Sequence, residues 1–390
     1  KIKLTRSLQQ LEYQIMDGIH KITLTSKPTI AVLTSHQTSE NIKIADLLKS
    51  LRPYYDLASF NLKEEGLTDQ KSLENLNQFD LLLVSNPKEE FTRNEKYILD
   101  QFSLNGGSQF WMIEGLNIDI ESLFNSKGKT QGFPRNLNLD DYFFNYGIKI
   151  QKKILQDLYN APIVLASGSN ENTQYIPYPW PYYPVSKPEN NSQIGKDIGP
   201  IITKFVSPID TLSNNLLKKP ILKSSKFTKS TSASKLISLE LAGQKNDPSS
   251  FDESDKILGL TVEGKTTSLF KNRIKPINLK NSKENGPVKM IIFGDGNLAE
   301  NQTDKGVPLS LGYDKWTNNF YSNKSLIMNS IHYLTDNNVR LSLRKKIWQV
   351  AFLDEQKIIR NIAIWKISLL LFPLLLGLGI GWINLRIRSK

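Results

Sequence analysis

Residues 79–113 read FDLLLVSNPKEEFTRNEKYILDQFSLNGGSQFWMI, and their pattern decides the fold. Phe79-Asp-Leu-Leu-Leu-Val84 is a short apolar run ended by the Asn86-Pro87 turn, the signature of a strand covered on both faces. Residues 94–104 then place apolar side chains at threes and fours, with Thr92 or Asn94 as the cap and Gly106-Gly107 to close the helix. Gln109-Phe-Trp-Met-Ile113 follows at once as a second apolar strand. Strand, helix and strand at this spacing form one crossover of a parallel sheet.

The same alternation extends toward the amino terminus. Thr29-Ile-Ala-Val-Leu-Thr34 is a strand, residues 42–51 have helical spacing, and residues 55–62 form a further strand. Before them, residues 4–24 carry Leu8, Leu11, Ile15, Ile19 and Ile22 on one helical face, so residues 1–24 read as a connecting helix. Beyond Glu114 the pattern breaks. Asn, Ser, Lys and Pro dominate as far as Pro287, with short strand-like pieces at 163–166 and 221–224. Within this stretch the run Tyr175-Ile-Pro-Tyr-Pro-Trp-Pro-Tyr-Tyr-Pro184 holds too many prolines for a helix or a central strand. The sheet pattern resumes at Val288-Lys-Met-Ile-Ile-Phe293, and residues 325–334 make one more helix. The expected architecture is a doubly wound α/β sheet over 25–335, with an irregular insertion at about 115–287.

The far end of the chain is of another kind. From Ile367 to Leu385 nineteen residues carry no charge, which at about 1.5 Å per residue spans roughly the hydrocarbon thickness of a bilayer. Trp365 and Lys366 stand at one end and Trp382, Arg386 and Arg388 at the other, as interface residues do. Residues 336–366 are then a juxtamembrane segment, 367–385 a transmembrane helix and 386–390 a basic tail. The cations flanking the span balance, so charge alone does not orient it. A short basic tail left in the cytoplasm places the large domain across the membrane. The chain starts at Lys1 without a signal-peptide pattern and reads as a fragment or a processed form.

Composition limits the chemistry. The 390 residues contain no Cys and only three His, which excludes disulfides, thiolate metal sites and a cysteine nucleophile. Lys and Arg number 50 against 38 Asp and Glu, a formal charge of +12. Gly294-Asp-Gly-Asn-Leu-Ala299 fits a dinucleotide fingerprint in letters, but the polar, Gly- and Pro-containing text after it is not a helix, so a tight turn is the better reading. No P-loop and no G-x-S-x-G elbow occurs. His36 follows the first strand, where doubly wound folds hold ligands, yet one His with Glu40 does not make a metal site. Asp140-Asp141 and Glu89-Glu90 are adjacent pairs whose side chains diverge. His36, Asn86 and Asp295 remain as a possible loop site at the carboxyl edge of the sheet; no catalytic group, metal or cofactor is expected. Lys218, Lys219, Lys223, Lys226, Lys229 and Lys235 read as a solvated basic face, and nucleic acid is not an expected partner.

Several segments taken in order resemble a known family. These are 27–36 (KPTIAVLTSH), 79–87, 95–102 with Gly106-Gly107, Phe293-Gly-Asp-Gly296, Leu311-Gly-Tyr-Asp-Lys-Trp-Thr317 and the closing apolar helix. Together they resemble the GldG family, the gliding-motility-associated auxiliary subunits of ABC transporters in Bacteroidetes-type bacteria. The resemblance implies a non-enzymatic inner-membrane protein with a periplasmic domain and a cytoplasmic C-terminus. Its partners would be a multi-span ABC permease, a cytoplasmic ATPase and the lipid bilayer. The implied fold is flavodoxin-like or glutamine-amidotransferase-like without catalytic residues. Family members usually carry a further N-terminal membrane helix and an upstream soluble domain. Ser35-His36-Gln37 departs from the Gly-His-Gly type of turn expected in that family. The alternative is a membrane-tethered hydrolase or ligand-binding protein using the sheet edge near His36.

Overall fold

Nine strands and four helices carry the architecture. The strands are β1 (Thr29–Leu33), β2 (Asp56–Phe60), β3 (Leu81–Ser85), β4 (Ser108–Met112), β5 (Asn160–Ser167), β6 (Gln174–Ser186), β7 (Leu217–Lys223), β8 (Ile257–Thr267) and β9 (Asn285–Phe293). The helices are α1 (Ala45–Leu51), α2 (Asp69–Leu76), α3 (Arg93–Leu104) and α4 (Asn323–Leu334). The computed structural model describes residues 26–335 except 67, 119, 169–172, 233–234 and 245, together with the isolated positions 18, 371, 373, 377 and 388. The chain divides into one unit of Glu12–Lys346 and a second of Lys1–Leu11 with Ile347–Lys390. Every element named above lies in the first.

Seven strands form one sheet in the order β7-β8-β9-β4-β3-β1-β2. The strands from β2 to β9 pair in parallel, while β8 and β7 add to β9 in antiparallel fashion. The parallel part keeps the doubly wound order in which the first strand lies between the second and the third. Because successive side chains alternate between faces, each apolar run feeds two cores. Ile30, Val32, Leu81, Leu83, Phe110, Met112, Ile291 and Phe293 pack with Leu47 and Leu51 of α1 and Leu326, Ile327 and Ile331 of α4. Ala31, Leu33, Leu82, Val84, Trp111, Met290 and Ile292 pack with Leu73 and Leu76 of α2 and Tyr97, Ile98 and Phe102 of α3. Each fully buried aliphatic side chain contributes roughly 1.5–3 kcal/mol, so uninterrupted apolar strands are what a sheet covered on both faces demands.

Helix α3 is closed at both ends by its own sequence. Thr92 Oγ1 accepts from Glu95 N at 3.2 Å, and Glu95 Oε2 accepts from Thr92 N at 2.7 Å, a capping box. At the other end Gly106, at φ +109°, donates to Ser103 O, and Gly107 donates to Phe102 O. That is a Schellman stop, and the left-handed turn residue is the glycine it favours. A side chain at Gly107 would also run into the Phe102 ring.

Three expectations change. The sheet is mixed rather than wholly parallel. The segment expected as an insertion at about 115–287 is not all excursion, because β7 and β8 within it extend the main sheet. Both are short or partly polar runs whose pattern is weak when read alone. The Pro-aromatic run is a strand after all: β6 pairs antiparallel with β5 and, at Val185 and Ser186, with Ile201–Ile202, so it is central in a three-stranded sheet. Pro177 and Pro179 are compatible with it because they fall two apart, on the stretch where β6 pairs with β5 alone. Residues of that spacing direct their missing N–H to the same unpaired side.

The expected helix at 4–24, with His20, lies outside the described residues apart from the single position Gly18. So does the expected span 367–385 except for Leu371, Pro373 and Gly377, which are helical and, like Arg388, exposed. Trp365, Lys366, Trp382 and Arg386 lie outside them as well. Among the described residues no helix is long and apolar enough to cross a membrane.

The capping box gives a test of this local account. Thr92→Ala should lower stability to urea by about 1 kcal/mol, whereas Thr92→Ser should stay close to the parent; equal loss in both would remove the cap from the explanation.

Candidate functional site at the carboxyl edge of the sheet

The carboxyl ends of β1, β3, β4 and β9 come to one edge, where doubly wound sheets hold their ligands. Four side chains close a ring there. Arg135 donates from Nη2 to Glu114 Oε2 (2.9 Å) and from Nη1 to Asn86 Oδ1 (2.5 Å). Asn86 donates from Nδ2 to Asn297 Oδ1 (3.0 Å), and Asn297 donates back to Glu114 Oε1. Arg135 and Glu114 are both almost fully out of water. Pro87 O and Gly115 O take two further donors of Arg135, from Nη1 and the backbone N–H. A buried ion pair is favourable only when its lone pairs and protons are matched. Here both terminal nitrogens of Arg135 are, while its buried Nε has no partner among the described residues. Gly296 lies against the ring: a Cβ there would fall 2.5 Å from Asn86 Oδ1.

Glu300 joins the ring to the first loop. Its Oε1 accepts from Ser39 Oγ at 2.7 Å and from Asn86 Nδ2 at 3.4 Å. Asn86 itself has φ +52°, in the left-handed region that Asn tolerates, and its N–H bonds to Met112 O.

The three residues expected at this edge take different roles. Asn86 belongs to the ring. Asp295 is 1 % exposed and turns the other way, accepting from Lys204 N and Asn297 N at 2.8 Å each and capping a 3-10 turn over Gly296–Ala299. Burial pushes its carboxyl up to about 7, and the charge of Glu300 adds to the rise. That short turn, in place of an α-helix, is also why the glycines at 294 and 296 make no dinucleotide site. His36 lies flat on Phe91, ring centroids 3.8 Å apart, with Nδ1 2.8 Å from Ser35 Oγ. Its Nε2 is 3.3 Å from Glu95 Oε1, at ion-pair distance without the alignment of a hydrogen bond. Glu95 is raised by burial, and the His36 ring and the Thr92 donors pull it below its usual value. The structure thus brings the three residues to one edge but does not gather their side chains around one pocket.

The opening at this edge lies to one side of the ring. A groove of about 320 Å³ has Asp295, Asn297 and Glu300 on one wall, and the β5–β6 hairpin and the 311–321 loop on the others. It joins two stretches that the sequence leaves separate. Tyr175 of the Pro-aromatic run and Trp316 of the LGYDKW segment meet at its rim with ring centroids 5.9 Å apart. A larger hollow of about 660 Å³ opens at the opposite edge of the sheet, between Lys27, Asp80, Asn105 and Thr335. No group of three or more His, Asp or Glu able to hold a metal ion occurs among the described residues.

Sequence reasoning missed Arg135, Glu114, Asn297 and Glu300. Glu114 and Asn297 sit just after strand ends, the positions where a doubly wound sheet collects polar side chains, and were findable on that ground. Arg135 lies in irregular text with no period to mark it. His332, in α4, lies apart from this edge, buried with Nδ1 2.5 Å from Tyr55 Oη. Of the lysines read as a basic face, Lys223 pairs with Glu189 at 3.1 Å and Lys229 stands over the Phe251 ring.

Arg135→Ala leaves the buried Glu114 carboxylate uncompensated and should cost about 3–5 kcal/mol in urea unfolding. Adding Glu114→Gln should recover part of that loss, which a ring of independent contacts would not do. For pH, Asp295 has a folded pKa raised above its unfolded value, so the folded state holds the extra proton between about 4 and about 7. Stability should therefore fall as pH rises through that window and level off above it. Asp100, raised to about 6 by burial, acts in the same direction in the lower part of the window. Asp295→Asn should flatten the fall in melting temperature; an unchanged slope would assign it elsewhere.

The model of the ABC-type uncharacterized transport system family matches residues 27–330. An uncharacterized protein of Borreliella burgdorferi is 24% identical over 307 residues, covering 75% of this chain and 55% of its own length. The chain thus spans about half of that relative. Among solved structures, the mmIFT52 N-terminal domain is 17% identical with a TM-score of 0.45, over 79% of this chain and 97% of its own. PurLQS from Thermotoga maritima is 9% identical with a TM-score of 0.27, over 79% of this chain and all of its own. At these scores neither structure bears on the fold or the function. With four-fifths of its residues inside the match, the chain belongs to the ABC-type uncharacterized transport system family, as an auxiliary component of such a system.

Proposed function

We propose that this auxiliary component is non-enzymatic and membrane-anchored, with its α/β domain outside the cytoplasm and docked on a multi-span permease of the ABC-2 type. A cytoplasmic ATPase drives that permease, and the domain couples its cycle to an envelope process such as gliding motility. The observation that carries this reading is the closed ring at the sheet's carboxyl edge. Where enzymes of this architecture keep acceptors and donors free for substrate, Arg135, Glu114, Asn86 and Asn297 bind one another. Family membership supports the transporter assignment, and the uncharged stretch 367–385 with its flanking cations supports the anchor. The resemblance to GldG supports the link to motility.

A hydrolase working at His36 has less in its favour. The ring is buried between Ser35, Phe91 and Glu95 and is not among the residues lining the groove. His36→Ala should therefore leave complex formation intact.

Solubilisation of native membranes in mild detergent and capture of the tagged chain should bring down a permease and an ATPase in fixed proportion. Recovery of the intact chain as a lone monomer would overturn the docking role.

A further inference from the structure

The groove beside the ring is built from segments remote in sequence, and its rim is aromatic. Tyr175 and Trp316 are 64% and 58% exposed, yet their rings lie 5.9 Å apart at 33°. Two large rings held together in water, over a cavity of about 320 Å³, cost hydration without filling a core. Lys315 Nζ already stands over the Trp316 ring, 5.3 Å from its centre, which shows that the ring takes a cation, and the remaining π-surface of the pair is presented to whatever enters. Ile163 and Leu311 supply apolar wall beneath it.

The charge of the walls selects the sign of the ligand. In a chain with an excess of basic residues, the groove is lined by the half-buried carboxylates Glu300 and Asp314, by Asp295, which is buried and turned inward, and by one basic side chain, Lys204. Among the described residues none of the three carboxylates forms an ion pair, whereas Lys315 and Lys324, close to them in the chain, each have an acidic partner. Glu300 takes both of its hydrogen bonds on Oε1, which leaves Oε2 unpartnered among the described residues. Asp314 is oriented by Gln302 Nε2 at 3.1 Å, by Trp316 N at 3.3 Å and by the Thr317 hydroxyl. None of those donors neutralises it. Lys204 extends over the Tyr183 ring instead, 5.7 Å from its centre.

We propose that this groove binds an organic cation on an apolar stem, an alkylammonium or alkylguanidinium group, between the Tyr175–Trp316 pair and the Glu300 and Asp314 carboxylates. A cation over an aromatic face is attracted by the ring quadrupole, the carboxylates add the compensating charge, and the methylene stem covers Ile163 and Leu311. The same chemistry comes from a free polyamine-like molecule or from a Lys or Arg side chain of a peptide. The inference goes beyond the docking role and does not depend on it, since binding is measured on the chain without a permease.

The test is tryptophan fluorescence and calorimetric titration of the full chain in detergent with cadaverine, agmatine, the peptide acetyl-Gly-Lys-Gly-amide, the neutral stem analogue pentanol, and maltotriose. Saturable binding of the three cations, weakened by added salt and absent for pentanol and maltotriose, is expected. Trp316→Ala, which removes an exposed ring and so spares the fold, should weaken binding roughly tenfold. Glu300→Gln should do the same. Tighter binding of the peptide than of cadaverine and agmatine assigns the cation to a peptide side chain, and the reverse order to a free amine. No saturable cation binding, equal binding of pentanol or maltotriose, or unchanged affinity in both variants would overturn the proposal. Failure of permease capture with cation binding intact would reject only the docking role.

Discussion

A guanidinium and a carboxylate withdrawn from water cost several kcal/mol each unless every proton and lone pair near them is matched. At the carboxyl edge of this sheet, Arg135 and Glu114 meet most of that condition through Asn86 and Asn297, in a ring where each member binds two others, and only Arg135 Nε is left buried without a partner among the described residues. The ring ties together the end of β3, the end of β4, the segment around 135 and the turn after β9. These four pieces of chain have no covalent reason to stay aligned. Once they are fixed, Gly296 has to be glycine-sized, Asp295 is turned inward to Lys204 N, and Glu300 is aimed at Ser39.

The same constraint moves function sideways. An edge whose polar groups bind one another offers little to a substrate, so the accessible chemistry shifts to the adjoining groove. Asn297 belongs to both places, the ring and the groove wall, and Glu300 on that wall accepts from Asn86 of the ring. A ligand at Glu300 is therefore one hydrogen bond away from the ring, and through it from β3 and β4. For an auxiliary component of a transport system, that is a short physical connection between a binding surface and the rigid part of the domain.

The sheet was legible from sequence wherever burial on both faces forced continuous apolar runs. Leu81–Val84, Phe110–Met112 and Met290–Phe293 could hardly be read otherwise, and the Thr92 cap and Gly106-Gly107 stop bounded α3 closely. Strands β7 and β8 were harder, because Lys218, Lys219 and Pro220 in one and Glu263, Gly264 and Lys265 in the other dilute the pattern on a half-exposed pair. The Pro-aromatic run misled for a geometric reason: prolines two apart leave the paired side of a strand intact. The groove was legible only in halves. Tyr175 and Trp316 each stood in a segment worth attention, but their meeting depends on how the hairpin and the 311–321 loop fold over the edge, which no local pattern encodes. Arg135 shows the limit most clearly, since a single buried arginine in irregular text is recognisable only by its partners.

Amide hydrogen exchange tests the central claim, that the carboxyl edge is a locked structural unit, most directly. The N–H groups of Asn86 and Ile113 bond to Met112 O and Phe293 O, and those of Lys204 and Asn297 bond to the Asp295 carboxylate. If the edge opens only when the domain unfolds, these four amides exchange with the same free energy as Leu83 at the centre of β3. Exchange through local opening at Asn86 and Asn297, several kcal/mol easier than at Leu83, would contradict the account and return the edge to the list of working active-site loops.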